Sequence, residues 1–164
     1  MATQYQNLSD YNPDLMPEKE IVAEQKYAIV VAEWNPGITS ALLDGAVHTL
    51  LENGVVKSNI KIVHVPGTFE LTFAAKRFMN DKKYNAIIVL GCVVQGETPH
   101  FNFVCQGVTS GITDLNLLAS GCPVIFGVLT TNTLQQAIDR SGGILGNKGD
   151  EAAITAIKMA NIVW

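Results

Sequence analysis

Four short runs of apolar, largely β-branched residues punctuate the chain: KYAIVVA over 26–32, IKIVHVP over 60–66, AIIVLGCVV over 86–94 and CPVIFGVLTT over 122–131. Between and after them the apolar positions recur at helical spacing, in ITSALLDGAVHTLLENG, FELTFAAKRFMND, FVCQGVTSGITDLNLLASG, NTLQQAIDR and GDEAAITAIKMANIV. Runs of four to nine predict strands and the longer periodic stretches predict helices. Gly54 marks the stop of the first helix, and Asn132 is the expected N-cap of the fourth. A chain that alternates strand with helix builds a parallel sheet, so the expected fold is α/β, with a four-stranded parallel sheet and helices on both faces. The nearly unbroken apolarity of the third and fourth runs predicts strands buried on both sides.

Residues 1–24 break the pattern. They are polar and punctuated by Pro13 and Pro17, and read as an N-terminal arm that is either disordered or adds an edge strand to a neighbouring subunit, ahead of one domain over 25–164. A length of 164 residues suits one domain with a single core of full size. Only 16% of the residues are charged against 48% hydrophobic, and such a surface is most simply covered by self-association. The net charge of -4, with no gathered lysines or arginines, argues against a nucleic-acid partner. No apolar run reaches the ~20 residues of a membrane span, and the start lacks the basic and apolar regions of a signal peptide, so the expected location is cytoplasmic. Cys92, Cys105 and Cys122 are odd in number and lack CxxC spacing, which signals neither a disulfide framework nor a zinc site.

In a parallel sheet, ligands bind beyond the carboxyl ends of the strands. Those ends read EWNPG, VPGTFE, QGETPH and TTNT, which would bring an aromatic ring, a carboxylate, a hydroxyl and an imidazole to one rim. In GET, Gly96 allows a tight turn that aims the amides of Glu97 and Thr98 at an anion near a helix start, although the same residues also suit an ordinary capping turn. His100 follows directly, and a neutral histidine beside a phosphate is a usable proton shuttle near pH 7. Trp34 precedes Asn35, Pro36 and Gly37 and is placed either to stack on a flat ligand or to cover the edge of the core. Glu70 suits the first turn of a helix, and Arg140 and Lys148 flank a glycine-rich stretch poised to bring two cations to an anion, although each alone is an ordinary surface charge.

Taken together, WN, VPGTFEL, GCVVQGETPHFNFV, PVIFGVLTTNTLQQAIDR and GNKGDEAA, in this order and at these separations, resemble the lumazine synthase family of riboflavin biosynthesis. The resemblance runs from about Tyr27 to the C-terminus. It implies a flavodoxin-like αβα sandwich and an enzyme that condenses 5-amino-6-(D-ribitylamino)uracil with 3,4-dihydroxy-2-butanone 4-phosphate, the penultimate step of the pathway, releasing phosphate and water without cofactor or metal. By the family's pattern Trp34 stacks on the pyrimidine, Asn35 follows it, and Thr68, Phe69 and Glu70 hold the ring and ribityl chain. Cys92, Val93 and Val94 contact the uracil, Glu97 and Thr98 cradle the phosphate, Arg140 is its guanidinium partner and His100 transfers protons. Phe126, Arg140 and Lys148 match positions lent by an adjacent subunit.

Gln95 departs from the basic residue common at its position and Trp34 from the common phenylalanine, while Glu151 stands where an acid often pairs with the phosphate arginine. The resemblance further implies identical subunits with shared sites, in pentamers or in icosahedral shells of pentamers, and it brings in riboflavin synthase as a candidate partner. The short GGILGNKG segment resembles that of shell-forming members. Two other readings are a flavin-binding module without turnover and a container whose shell is its main role. Neither accounts for His100 beside GET together with a distant Arg140.

Overall fold

The computed structural model describes residues 7–118 and 121–163. The elements run α1 (Lys19–Ala23), β1 (Tyr27–Ala32), α2 (Pro36–Glu52), β2 (Ile60–Val65), α3 (Leu71–Asp81), β3 (Ala86–Val94), α4 (His100–Leu118), β4 (Val124–Thr131), α5 (Leu134–Asp139), β5 (Ser141–Gly143), β6 (Gly146–Asn147) and α6 (Lys148–Ala160). The first four strands form one parallel sheet in the order β2-β1-β3-β4, with Tyr27 level with Ile60 and Ala86, and Ile88 level with Ile125. This is the expected α/β sandwich of the flavodoxin-like type.

Alternation along β1 divides the core. Tyr27, Ile29 and Val31 face α2 and α6, where Leu42, Ala46, Leu50, Ala153 and Ile157 pack, while Ala28, Val30 and Ala32 face α3 and α4, where Leu71, Ala75, Val108 and Ile112 pack. Successive side chains of a strand point to opposite faces, so a strand buried on both must be apolar throughout; β1 and the first seven residues of β3 are. β4 lies at a sheet edge and is buried except at Phe126 and Thr130, and β2, the other edge, is exposed or half-buried up to Val65.

Three details differ from the sequence reading. Thr133, not Asn132, caps α5: its hydroxyl accepts from the Gln136 amide, while the Asn132 amide donates to the Gln136 side chain. The glycine-rich stretch before α6 is a small antiparallel hairpin, β5 with β6, made possible by positive φ at Gly142 and Gly146. Over residues 7–24 the arm carries the short helix α1 and no strand, and it rests on its own chain at a few points. Val22 is fully buried, the Leu8 amide donates to the Leu145 carbonyl (2.8 Å) and Ser9 Oγ accepts from the Asn147 amide (2.9 Å). The expected pairing of the arm, residues 1–24, with a neighbouring subunit involves residues 1–6, which lie outside the described residues. No described helix is long and apolar enough to cross a membrane.

Candidate active site

Parallel strands deliver their carboxyl ends to one side of the sheet, and the turns that follow β1, β2 and β3 there enclose a cavity of about 740 Å³. Its lining includes Trp34 and Asn35 after β1, Thr68, Phe69 and Glu70 after β2, Cys92, Val93 and Val94 at the end of β3, and His100 at the start of α4. Nine of the residues singled out in the sequence therefore share one cleft.

Each wall has a local cause. The Glu33 amide extends the ladder by donating to the Val65 carbonyl, after which the chain must leave the sheet. It does so through Asn35, which adopts the left-handed conformation (φ 58°, ψ 54°), a geometry asparagine tolerates better than other residues with a side chain. Asn35 is anchored on both sides. Its carbonyl accepts from the Ile38 and Thr39 amides at the start of α2, and its Nδ2 donates to the Cys92 carbonyl of β3 at 2.9 Å. The turn leaves the Trp34 side chain outside the core, 72% exposed, as an aromatic wall.

Across from it, Thr68–Glu70 form a 3₁₀ turn that leads into α3. Phe69 is 58% exposed in the cleft. A Cβ built on Gly67 would lie 2.8 Å from Glu70 Oε2 and 3.5 Å from Trp34 Cδ1, so the carboxylate and the indole edge meet over this glycine. An aromatic face beside a carboxylate suits a flat ligand that carries hydrogen-bond donors. Burial pushes the Cys92 thiol up to about 11, so it stays protonated near neutral pH and offers no thiolate.

Residues 95–99 carry the chain from β3 to α4. Glu97 and Thr98 are exposed here and lie outside the cavity lining, on the approach to His100. Among the described residues their amides donate no backbone hydrogen bond, and they stand just before a helix of 19 residues, whose start favours an anion. His100 is exposed at the first helical position, between this turn and the cavity. Phe103 and Val104 also line the cavity and are absent from the sequence-based set; their spacing of three and four residues from His100 places all three on one helical face, which is the signal that could have found them.

Phe126, Lys148 and Arg140 are not brought to this cavity. Phe126 and Lys148 line a second one, about 570 Å³, between the β4 edge and α6, together with Glu151 and Met159. Lys148 Nζ and Glu151 Oε1 form an ion pair at 2.5 Å, so Glu151 is engaged by the lysine and not by Arg140 as expected. Arg140 follows α5 and donates from Nη1 to the Gln136 carbonyl at 3.0 Å, which leaves the rest of its guanidinium available. Among the described residues no group of three or more His, Cys, Asp or Glu side chains could hold a metal ion.

The sequence model of 6,7-dimethyl-8-ribityllumazine synthase matches residues 24–163. The chain is 58% identical over 161 residues to the 6,7-dimethyl-8-ribityllumazine synthase of Parabacteroides distasonis, covering 98% of both chains. It is 58% identical to that of Bacteroides fragilis over 139 residues, which are 85% of this chain and 96% of the other. With that of Porphyromonas gingivalis it shares 54% over 162 residues, 99% of this chain and 98% of the other.

Proposed function

The chain belongs to the 6,7-dimethyl-8-ribityllumazine synthase family, enzymes of riboflavin biosynthesis, and from that premise we propose that it condenses 5-amino-6-(D-ribitylamino)uracil with 3,4-dihydroxy-2-butanone 4-phosphate in the penultimate step of the pathway. What supports this reading is the single cavity that gathers Trp34, Thr68, Phe69, Glu70, Cys92, Val93, Val94 and His100 beside the start of α4.

In this reading the pyrimidine stacks on Trp34, with its uracil edge on the backbone of residues 92–94 and its ribityl chain toward Glu70. The phosphate rests on the amides of Glu97 and Thr98. The free amine of the pyrimidine adds to the ketone, and water leaves as the imine forms. Removal of a proton from the neighbouring carbon expels phosphate from the next one and leaves an enol, which tautomerises to a ketone; the ribitylamino nitrogen adds to that carbonyl, and ring closure releases water again. Each step moves a proton close to the bound anion, which is the work assigned to His100. Holding both substrates in register supplies much of the remaining acceleration.

Phe126, Lys148 and Arg140 stand outside the cavity, and in this reading they complete the cavity of an adjacent identical subunit, where the guanidinium of Arg140 meets the departing phosphate in a charge-assisted pair. The assembly is then a cytoplasmic homo-oligomer built on pentamers. Mixing the two substrates with the protein and following lumazine absorbance tests the proposal: a rate well above that of the protein-free mixture is expected, and an equal rate would overturn it.

A further inference from the structure

Glycine weakens the interior of a helix and of a strand, so glycines there call for a cause. Gly91 lies inside β3 and Gly107 inside α4, and neither has the positive φ that would require glycine. The cause is space, and in both cases a residue of the turn Thr68–Glu70 occupies it. A Cβ on Gly91 would lie 2.8 Å from Thr68 Oγ1 and 3.1 Å from Thr68 Cγ2, and a Cβ on Gly107 would lie 2.6 Å from Cε2 of the Phe69 ring. Thr68 is 5% exposed, and its hydroxyl has no hydrogen-bond partner among the described residues, so packing and not polar pairing seats it. One helical turn beyond Gly107, Gly111 takes Thr72 in the same way, with Cγ2 at 2.7 Å, and Thr72 is outside the cavity lining.

We propose that Gly91 and Gly107 are positioning residues of the candidate site: by lacking side chains they let the turn Thr68–Glu70 seat against β3 and α4, and so they set where Phe69 and Glu70 stand in the cavity. The two act through the turn and touch no substrate themselves. The inference rests on the function proposed above, in which Phe69 and Glu70 hold the pyrimidine and its ribityl chain.

Gly107→Ala is the informative change, because in a helix interior it favours folding while displacing the Phe69 ring, which has solvent to move into. Melting temperature, pyrimidine affinity by calorimetry and steady-state kinetics are measured for wild type, Gly107→Ala, Phe69→Ala, the double variant and Gly111→Ala. The expected result for Gly107→Ala is an unchanged or raised melting temperature with pyrimidine binding weakened on the order of tenfold, the scale of a small misplacement. In the Phe69→Ala background the same change should cost no further affinity, and Gly111→Ala should leave affinity unchanged. Unaltered affinity in Gly107→Ala, an additive loss in the double variant, or an equal loss in Gly111→Ala would each overturn the positioning role. Wild-type protein that makes no lumazine would instead count against the proposed reaction. The crystal structure of Gly107→Ala then decides the positioning claim, which a Phe69 ring in its wild-type place would contradict and a displaced ring would uphold.

Discussion

In the proposed reaction His100 carries the proton transfers in one side chain. It stands at the first position of α4, exposed, on the rim shared by the cavity and the turn that carries Glu97 and Thr98. A residue there could simply form the first turn of a helix, for which asparagine and histidine have similar propensity. His100→Asn is therefore expected to keep the melting temperature and the pyrimidine affinity while slowing single turnover by roughly 10²-fold, the scale of general acid–base catalysis. The loss is smaller if the substrates condense appreciably without help, because stacking and phosphate contacts persist. An unchanged single-turnover rate with an unchanged pH profile would leave solvent as the proton carrier. Cys92 offers a contrast at the same scale: it lines the same cavity, yet burial holds its thiol neutral, and its contribution is the carbonyl that fixes Asn35.

At the scale of elements, the connection from β1 to α2 is the most constrained part of the site. Asn35 combines a left-handed backbone with a side-chain hydrogen bond to β3. Asn35→Gly removes the bond alone, at about 1 kcal/mol. Asn35→Ala removes the bond and adds the left-handed penalty, for a total of about 2 kcal/mol or more. Urea denaturation should rank wild type above Gly and Gly above Ala; equal midpoints for the two variants would show that the left-handed turn relaxes freely.

The elements themselves were legible wherever burial writes a pattern. The strand expected over 86–94 is β3 without change, and that over 26–32 begins one residue later at Tyr27. β4 starts at Val124 because Gly121 turns with positive φ and Pro123 has no amide to give the ladder. α4 starts at His100, ahead of the apolar repeat that begins at Phe103, since the first turn of a helix need not be apolar. The hairpin of β5 and β6 left no trace, its strands being too short and too rich in glycine to alternate. Strand-end reasoning reached Trp34, Glu70 and His100, and helical spacing from His100 would have added Phe103 and Val104, whereas the seat on Gly107 depends on how the turn Thr68–Glu70 packs against α4, a tertiary fact.

At the scale of the molecule, the fold separates residues that the proposed reaction would bring together. The cavity after β1, β2 and β3 holds an aromatic wall, a carboxylate and an imidazole, while Phe126 and Lys148 line the opposite edge by β4 and Arg140 follows α5. Periodicity within one chain could not reveal that division; the family resemblance alone implied it. The low charge content and the exposed Phe73, Leu117, Leu118 and Ile144 fit surfaces that are covered on assembly.

If one subunit's cavity works with its neighbour's Arg140, two complementary variants should restore activity to each other on mixed assembly. His100→Asn damages the cavity half and Arg140→Ala the lent half, and each variant alone should turn over poorly. If the two are unfolded, mixed in equal amounts and reassembled, roughly a quarter of the sites in a cyclic oligomer should unite an intact cavity with an intact Arg140. Lumazine formation well above the sum of the two variants reassembled separately is the expected result. A mixture no more active than that sum, in assemblies shown to contain both subunits, would contradict it.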